Sequence, residues 1–213
     1  MISLSLIWET EFSFRKESEM IVCGCDEAGR GPLAGPVFAA AVILPDGCVI
    51  EGLDDSKRLS EKKREALYDE IRSKCIDCAI AHAEVYEIEA INILNASMLA
   101  MRRAIAMLRV QPELALIDGN VARDFPIRAI PIVKGDGKCP SIAAASVLAK
   151  VERDRFCNEL DGFFPEYGFA KHKGYATKEH RDAILKYGPC GAHRPSFLRK
   201  LLGSELDEQH GLW

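Results

Sequence analysis

Two adjacent acids, Asp26 and Glu27, follow a short apolar run and precede a glycine-rich turn. Two neighbouring carboxylates repel each other unless a cation lies between them. On a continuing strand their side chains would point to opposite faces, so both reach one site only if the strand stops at Asp26. A lone acidic pair of this kind is more often a solvated turn, so its interpretation depends on the other acids of the chain.

Two further acids follow apolar runs and lie in glycine-flanked turns: Asp118 after residues 114–117, and Asp136 after the run that ends at Val133. Strands that end in acids and glycines are typical of a site at the carboxyl edge of a sheet. Four carboxylates balance two divalent cations, and all-oxygen ligands favour Mg²⁺ or Mn²⁺ over zinc. Two such ions can activate water for phosphodiester hydrolysis. The residues predicted to be catalytic and to bind these ions are Asp26, Glu27, Asp118 and Asp136.

The elements that must position these acids alternate between strand-like and helix-like patterns, which predicts an α/β fold. The run PVFAAAVIL is apolar at nearly every position and predicts a strand covered on both faces. Small residues after Ser141 would let a helix pack close to a sheet. Strands are predicted over 21–25, 37–44, 75–85, 114–117 and 129–133. Helices are predicted from Ser60, over 87–108, from 141 to about 160, over 177–186 and over 194–202.

The composition of the 213-residue chain, 48% hydrophobic and 28% charged, excludes a disordered protein and a coiled coil. The net charge of -4 argues against a uniformly basic surface, yet residues 171–200 carry eight Lys or Arg and only two acids. Phosphate contacts should concentrate there and in residues 57–64. The predicted contacts are Lys57, Arg58 and Lys173, with Lys62, Lys63, Arg64, Lys171, Lys178 and Arg194 as further candidates.

Eight cysteines with no export signal favour reduced thiols and a cytoplasmic protein. The pair Cys75 and Cys78 could form half of a zinc site, but no second pair has matching spacing. The apolar opening lacks a basic segment and runs into Glu9 and Glu11, so neither a signal peptide nor a membrane span is predicted. We expect a monomer.

The sequence resembles the ribonuclease HII family, the type 2 ribonucleases H, over nearly the whole chain from Val22 to Leu202. The motifs that carry the resemblance are DEAGRGPLAGPV at 26–37, DSKRLS at 55–60, LIDGN at 116–120, KGDGKCPSIAAASVLAKVERD at 134–154 and YGFAKHKGYATKEH at 167–180.

The resemblance implies a ribonuclease H-like mixed sheet flanked by helices, with a small C-terminal helical lobe. It implies an endonuclease that hydrolyses the RNA strand of RNA–DNA hybrids and cuts 5′ to single ribonucleotides in duplex DNA, as in ribonucleotide excision repair. Products would carry 5′-phosphate and 3′-hydroxyl ends. The family's four acidic metal ligands fall on the four acids above. Its motif that reads the ribose 2′-hydroxyl falls on Gly29, Arg30 and Gly31, and its tyrosine on Tyr175.

The domain organisation follows from these motifs. Residues 1–19 are an extension or a short helix, 20–165 the catalytic domain, 166–204 a basic helical lobe and 205–213 a tail. The tail resembles the Q-x-x-L-F peptide with which bacterial replication enzymes bind the sliding clamp, through Gln209, Leu212 and Trp213. An incidental tail is the alternative.

Two other functions stay open at this stage. A different two-metal nuclease on the same fold, such as a junction resolvase, would need no reader of the 2′-hydroxyl. A non-catalytic module that binds hybrids would gain nothing from four acids beside phosphates.

Overall fold

The computed structural model describes residues 11, 13–14, 20–53, 56 and 59–203. Its centre is a five-stranded sheet in the order β3-β2-β1-β4-β5. β1 pairs with β2, and β2 with β3, in antiparallel fashion, whereas β1–β4 and β4–β5 are parallel. The strands are β1 Val22–Ala28, β2 Val37–Ile43, β3 Asp77–Ala83, β4 Leu114–Asp118 and β5 Arg128–Ile132. The α-helices are α1 Glu61–Lys74, α2 Val85–Ala106, α3 Pro140–Phe163, α4 Phe169–His172, α5 Lys178–Tyr187 and α6 Pro195–Leu202. The predicted mixed sheet with flanking helices is confirmed.

The β2 strand is buried along its whole length, as its apolar run predicts. Ala39 and Ala41 belong to the core beneath α2, whereas Ala40 and Val42 pack with α1 and α3 on the opposite face. Alternate side chains therefore enter two separate cores. The sheet is thus covered on both sides, and its reactive groups must lie at a strand end.

The close packing of α3 on β1 depends on Gly24. A Cβ atom at Gly24 would lie 2.3 Å from the backbone nitrogen of Ile142 and 2.4 Å from Oγ of Ser141. The small residues that open α3 therefore meet a strand residue with no side chain. This contact fixes the helix over the strand that carries Asp26.

The amino terminus of α3 is capped from a distant part of the chain. The carboxylate of Glu11, which is 1% exposed, accepts hydrogen bonds from the backbone N–H of Ser141 at 3.0 Å and its hydroxyl at 2.7 Å. The first N–H groups of a helix have no partner within the helix, and a negative charge there also interacts favourably with the helix dipole. Glu11 is thereby attached to the helix that covers β1.

Strand β1 continues beyond the residue at which it would have to end for Asp26 and Glu27 to reach one site. The strand does not stop at Asp26: its pairing with β2 continues through Glu27 opposite Ala39 to Ala28 opposite Phe38. The reason is that β2 is long enough to pair with the two additional residues. Asp26 and Glu27 therefore stand on opposite faces of β1.

Two local features of the helices were not predicted. Helix α2 contains a kink at Asn92, whose φ of 66° is left-handed; its side-chain Oδ1 accepts from the N–H groups of Leu94 and Asn95. Asn92 thus caps the second part of the helix. The four-residue α4 was also missed, because a single turn leaves no apolar periodicity to detect.

The C-terminal helices surround a small core, in which Tyr167, Phe169, Ile184 and Leu198 are buried together with Leu160 of α3. Thr177 begins α5 by accepting the N–H of His180. In the described part of the chain, no helix is long and apolar enough to cross a membrane. All eight cysteines are free thiols in the structure.

Candidate active site

The parallel pair β1–β4 brings two of the predicted acids to one edge of the sheet. Cys25 pairs with Ile117, so the residues that follow, Asp26 and Asp118, lie side by side where this pairing ends. Preceding residues of the same parity, Val22 and Leu116, pack in one core, so both acids belong to the face covered by α3. Register alone thus places the two carboxyl groups together.

Asp118 is oriented by the turn that contains Asp136. The backbone N–H of Gly135 donates to Oδ1 of Asp118 at 2.7 Å. A Cβ atom at Gly135 would lie 2.6 Å from the side chain of Ile142 and 3.2 Å from Oδ1 of Asp118, so this close approach requires glycine. Asp136 is the next residue in the short 3₁₀ turn Gly135–Gly137, and its backbone therefore adjoins the Asp118 carboxylate.

The electrostatics of Asp26 test whether the acids fit divalent cations. Burial, followed by repulsion from Glu27 and Asp118, raises the pKa of Asp26 well above its usual value. Oxygen donors that repel one another at a strand end suit a hard divalent cation, which removes the repulsion when it binds between them. The donor set therefore fits Mg²⁺ or Mn²⁺.

Glu27 is held by the turn that follows it. Its Oε1 lies 3.3 Å from Nη1 of Arg30, and its side chain is 12% exposed. Across the described residues, no three His, Cys, Asp or Glu side chains stand ready to hold a metal ion. The structure thus brings Asp26 and Asp118 together, with Asp136 in the adjoining turn, and leaves Glu27 paired with Arg30.

A chain of hydroxyl groups, which the sequence interpretation missed, supports Asp26 from α3. The Ser146 hydroxyl hydrogen-bonds to Asp26 and lowers the pKa of the carboxyl, which offsets part of the increase. The hydroxyl oxygens of Ser146 and Ser56 are 2.7 Å apart, and both residues are buried. Because a carboxylate only accepts, Ser146 donates to Asp26 and Ser56 donates to Ser146. The sequence signals were that Ser56 lies within DSKRLS and that Ser146 lies within the motif at 134–154.

The glycine-rich turn and Tyr175 lie next to each other although 144 positions separate Gly31 from Tyr175 in the numbering. A Cβ atom at Gly31 would be 3.7 Å from Cε1 of Tyr175, and the tyrosine is 44% exposed. Gly29 has a φ of 102°, and a Cβ atom there would lie 2.1 Å from Nε of Arg153. The Gly29–Gly31 turn, which is predicted to recognise the ribose 2′-hydroxyl, therefore adjoins both an exposed aromatic ring and the end of β1.

The described candidate basic residues divide into an exposed group, to which Lys62 and Lys63 belong, the half-buried Lys173 and two internal arginines. Lys171 and Lys178 are exposed, while the half-buried Lys173 donates to Asn158. Arg64 and Arg194 do not fit the predicted phosphate contacts: Arg64 bonds to Ser56, Leu59 and Asp154, and Arg194 is fully buried. Charge patterning cannot separate such internal arginines from solvated ones. Lys57, Arg58, Gln209, Leu212 and Trp213 lie outside the described residues.

Comparison with known proteins agrees with this geometry. The family model described as Ribonuclease HII matches residues 23–200. The chain is 58% identical over 177 residues to Ribonuclease HII of Albidiferax ferrireducens, covering 83% of this chain and 86% of the relative. It resembles the crystal structure of ribonuclease H2 from Pyrococcus horikoshii with a TM-score of 0.69 and 25% identity, covering 84% and 96% of the two chains. A PCNA:RNase HII complex from Archaeoglobus fulgidus matches with a TM-score of 0.67 and 28% identity, covering 82% and 94%.

The fold and the acidic sheet edge define a nuclease of the ribonuclease H class. With the matching family model and these relatives, the chain belongs to the ribonuclease HII family. It is a metal-dependent endonuclease with ribonuclease H activity on RNA–DNA hybrids.

Proposed function

We propose that the protein cuts duplex DNA 5′ to a single embedded ribonucleotide, in addition to hydrolysing the RNA strand of hybrids. The observation that carries this proposal is that Gly31, in the turn directly after the acidic end of β1, adjoins the exposed ring of Tyr175, so that a Cβ atom there would be 3.7 Å from Cε1 of the ring. A 2′-hydroxyl is the group by which RNA differs from DNA at a given position. A backbone can approach it only where no side chain intervenes.

Asp26, Asp118 and Asp136 would hold two divalent cations, Mg²⁺ or Mn²⁺. Glu27 would complete the set of four carboxylates by leaving Arg30 and reaching the ions from the other face of β1. When bound, two such ions supply activation of water and stabilisation of the leaving 3′-oxygen. The protein's own contribution is to orient the oxygens. Gly135 fixes Asp118, and Ser146 fixes Asp26. The expected products carry a 5′-phosphate and a 3′-hydroxyl.

Tyr175 would select the junction by stacking on the deoxyribose that follows the ribonucleotide. A second 2′-hydroxyl at that position would disturb the stack, so a DNA nucleotide is preferred there. The guanidinium carbon of Arg153 lies 5.8 Å from the centre of the Tyr175 ring and supports it from the protein side. The opposite face of the ring is thereby left for the nucleic acid.

The decisive experiment uses three labelled duplexes with Mg²⁺ or Mn²⁺: one with a single ribonucleotide, one all-DNA and one RNA–DNA hybrid. We expect a cut 5′ to the single ribonucleotide, no cut in all-DNA, and loss of all cutting with EDTA. Cutting of the hybrid alone would remove the junction proposal while keeping ribonuclease H activity.

Tyr175→Ala tests the proposed role of the ring. Because the ring is proposed to favour a deoxyribose after the ribonucleotide, we expect kcat/KM for the single-ribonucleotide duplex to fall about tenfold more than for the hybrid, equivalent to about 1.4 kcal/mol. Tyr187→Ala, at another exposed tyrosine of the lobe, is the matched control and should change neither. An equal loss on both substrates with Tyr175→Ala would contradict the stacking role.

We also propose that the tail binds the sliding clamp through Gln209, Leu212 and Trp213. The match to a PCNA:RNase HII complex supports a clamp as partner. Trp213→Ala should weaken affinity for the purified clamp at least tenfold, because buried aromatic anchors dominate such interfaces. His210→Ala, at a position that the Q-x-x-L-F pattern leaves open, should leave the affinity unchanged; equal affinities of both variants would count against the proposal.

A further inference from the structure

Arg194 occupies the interior of the loop formed by residues 29–36, and its side chain is fully buried. Its guanidinium donates to five backbone carbonyls of this one loop. Nη2 bonds to Gly29 at 2.7 Å and Pro36 at 3.3 Å, Nη1 to Arg30 at 3.1 Å and Pro32 at 2.9 Å, and Nε to Gly35 at 2.8 Å. All three guanidinium nitrogens are therefore used to hold the loop.

These bonds determine which way the peptide groups of the loop point. In a planar trans peptide the N–H points opposite to the C=O of the same unit. The carbonyls of Gly29 and Arg30 face inward to Arg194, so the N–H groups of Arg30 and Gly31 face outward. The peptide unit between Pro32 and Leu33 follows the same rule: the carbonyl of Pro32 bonds to Arg194, and the N–H of Leu33 donates away from it, to Gly174 at 2.8 Å.

Two neighbours keep Arg194 in place. The backbone N–H of Arg194 donates to the carbonyl of Leu33 at 2.8 Å, which ties it to the same loop. Helix α6, which starts at the next residue, is anchored by Glu89 of α2. The Glu89 carboxylate accepts the N–H of Ser196 at 3.0 Å and its hydroxyl at 2.8 Å.

Arg153 closes the loop from the other side. It is 1% exposed, and its Nη2 donates to the carbonyls of Lys173 at 3.0 Å and Ala34 at 3.4 Å. Its Nε fills the space that a side chain at Gly29 would need. Two buried cations thus fill the interior of the loop, so its outward surface is the side left for a ligand.

We propose that Arg194 is a positioning residue that determines the specificity for ribose: it turns the Arg30 and Gly31 N–H groups toward the nucleic acid. This inference rests on the proposed reading of the 2′-hydroxyl by the Gly29–Gly31 turn. The two outward N–H groups form a pair of donors suited to a sugar oxygen, and both residues are exposed. A deoxyribose offers no hydroxyl to such donors.

Arg194→Lys tests the proposal, because one ammonium group keeps the charge but cannot reproduce a planar fork that serves five carbonyls. Binding is measured in an Asp118→Asn background with Mg²⁺, using a duplex with one ribonucleotide and the same duplex in all-DNA form. The readout is the specificity ratio, the Kd for the all-DNA duplex divided by the Kd for the duplex with one ribonucleotide. We expect Arg194→Lys to reduce this ratio about tenfold, equivalent to about 1.4 kcal/mol, with unchanged affinity for all-DNA.

Arg199→Lys is the matched control, since it makes the same chemical change at an exposed position of α6. It should leave the ratio at the parental value. A merely structural role of Arg194 would lower the melting temperature and weaken both duplexes in parallel, with an unchanged ratio; that result would overturn the proposal.

A second variant covers the case in which Arg194→Lys does not fold. Glu89→Ala removes the carboxylate that binds Ser196 at the start of α6, so Arg194, the preceding residue but one, is held less firmly. Because Glu89 is exposed, its replacement leaves no cavity in the core. We expect it to lower the ratio about threefold, or about 0.7 kcal/mol; an unchanged ratio in every folded variant would overturn the inference. If the parent background itself does not distinguish the two duplexes, the proposed reading of the 2′-hydroxyl fails first, and this is visible before any Arg194 variant is made.

Discussion

At the scale of single residues, the contrast between Asp26 and Asp118 shows how neighbouring acids are made to share a site. Asp26 is buried and accepts a hydrogen bond from the hydroxyl of Ser146, whereas Asp118 accepts one from the backbone N–H of Gly135. Each carboxylate therefore has a dedicated donor that holds it while leaving further oxygen lone pairs for a cation. Such orientation of ligands is what a metal site needs from its surroundings.

Replacement of Asp118 by Asn should abolish most of the activity and preserve the fold. The amide keeps an oxygen for the Gly135 N–H but removes the charge that a divalent cation requires, so we expect kcat to fall at least about a hundredfold, the range seen for loss of one electrostatic group. The measurement is steady-state cleavage of an RNA–DNA hybrid, with circular dichroism to check folding.

Asp124→Asn provides the matched control for this change. Asp124 is exposed and has a φ of 58°, a left-handed conformation that Asn adopts easily. Its turnover should equal that of the parent. Near-parental turnover of Asp118→Asn would remove Asp118 from the catalytic set.

At the scale of elements, the amino terminus of α3 depends on Glu11. Glu11→Ala should destabilise the protein by about 1–2 kcal/mol, the usual cost of losing a helix cap. The reason is that the N–H and hydroxyl of Ser141 lose a buried charged acceptor. Chemical denaturation measures the change, with Glu159→Ala on the exposed side of α3 as control. Equal stability of the two variants would show that the cap is dispensable.

The helices of the C-terminal lobe meet at three stacked or bonded histidines. The rings of His172 and His180 are 4.2 Å apart, and the Nε2 atoms of His180 and His193 are 3.0 Å apart. The Nδ1 atom of His180 donates to the carbonyl of Tyr175, and Nδ1 of His193 accepts the backbone N–H of Cys190 at 3.0 Å. Burial lowers the pKa of both His180 and His193 to about 4.

These lowered pKa values make the lobe sensitive to acid. The unfolded chain takes up protons near pH 6.5, whereas folded His180 and His193 do so only near pH 4. Stability is therefore complete above about pH 6.5 and falls between there and pH 4, by at most about 1.4 kcal/mol per pH unit for each histidine. Urea denaturation between pH 7.5 and 5 measures this slope.

His193→Gln should reduce the slope of stability against pH, because one of the two buried titrating groups is removed. His82→Gln is the control, since the His82 side chain is 46% exposed and lies outside the lobe. A slope that stays the same after the His193 replacement would show that other groups cause the acid sensitivity.

At the scale of the whole molecule, we expect this acidic protein to bind a polyanion through a local basic surface. The net charge is -4, yet Lys171 and Lys178 stand exposed on the lobe that carries Tyr175. Each Lys that contacts a phosphate releases counterions, so affinity falls with salt. Lys171→Ala should weaken binding to ribonucleotide-containing and all-DNA duplexes equally, and should reduce the slope of log Kd against log salt by about 1. An unchanged slope would exclude a phosphate contact of Lys171.

Much of this protein could be predicted from local pattern. All five strands and the five longer helices lie within a few residues of their predicted positions, because apolar periodicity and turn residues are local signals. Ser60 and Thr177 begin their helices as N-caps. The four acids and the motifs that resemble ribonuclease HII are also readable without a structure, since they depend only on residue type and order.

Only the tertiary structure decided how these residues meet. The continuation of β1 past Asp26 depends on the length of β2, and the approach of Asp118 to Asp26 depends on the register of β4. The burial of Arg194 depends on a loop that lies 158–165 residues away in the chain. Residue type and local spacing set local conformation, whereas register and burial arise from contacts between distant segments, so an internal arginine and a solvated one look alike until the chain is folded.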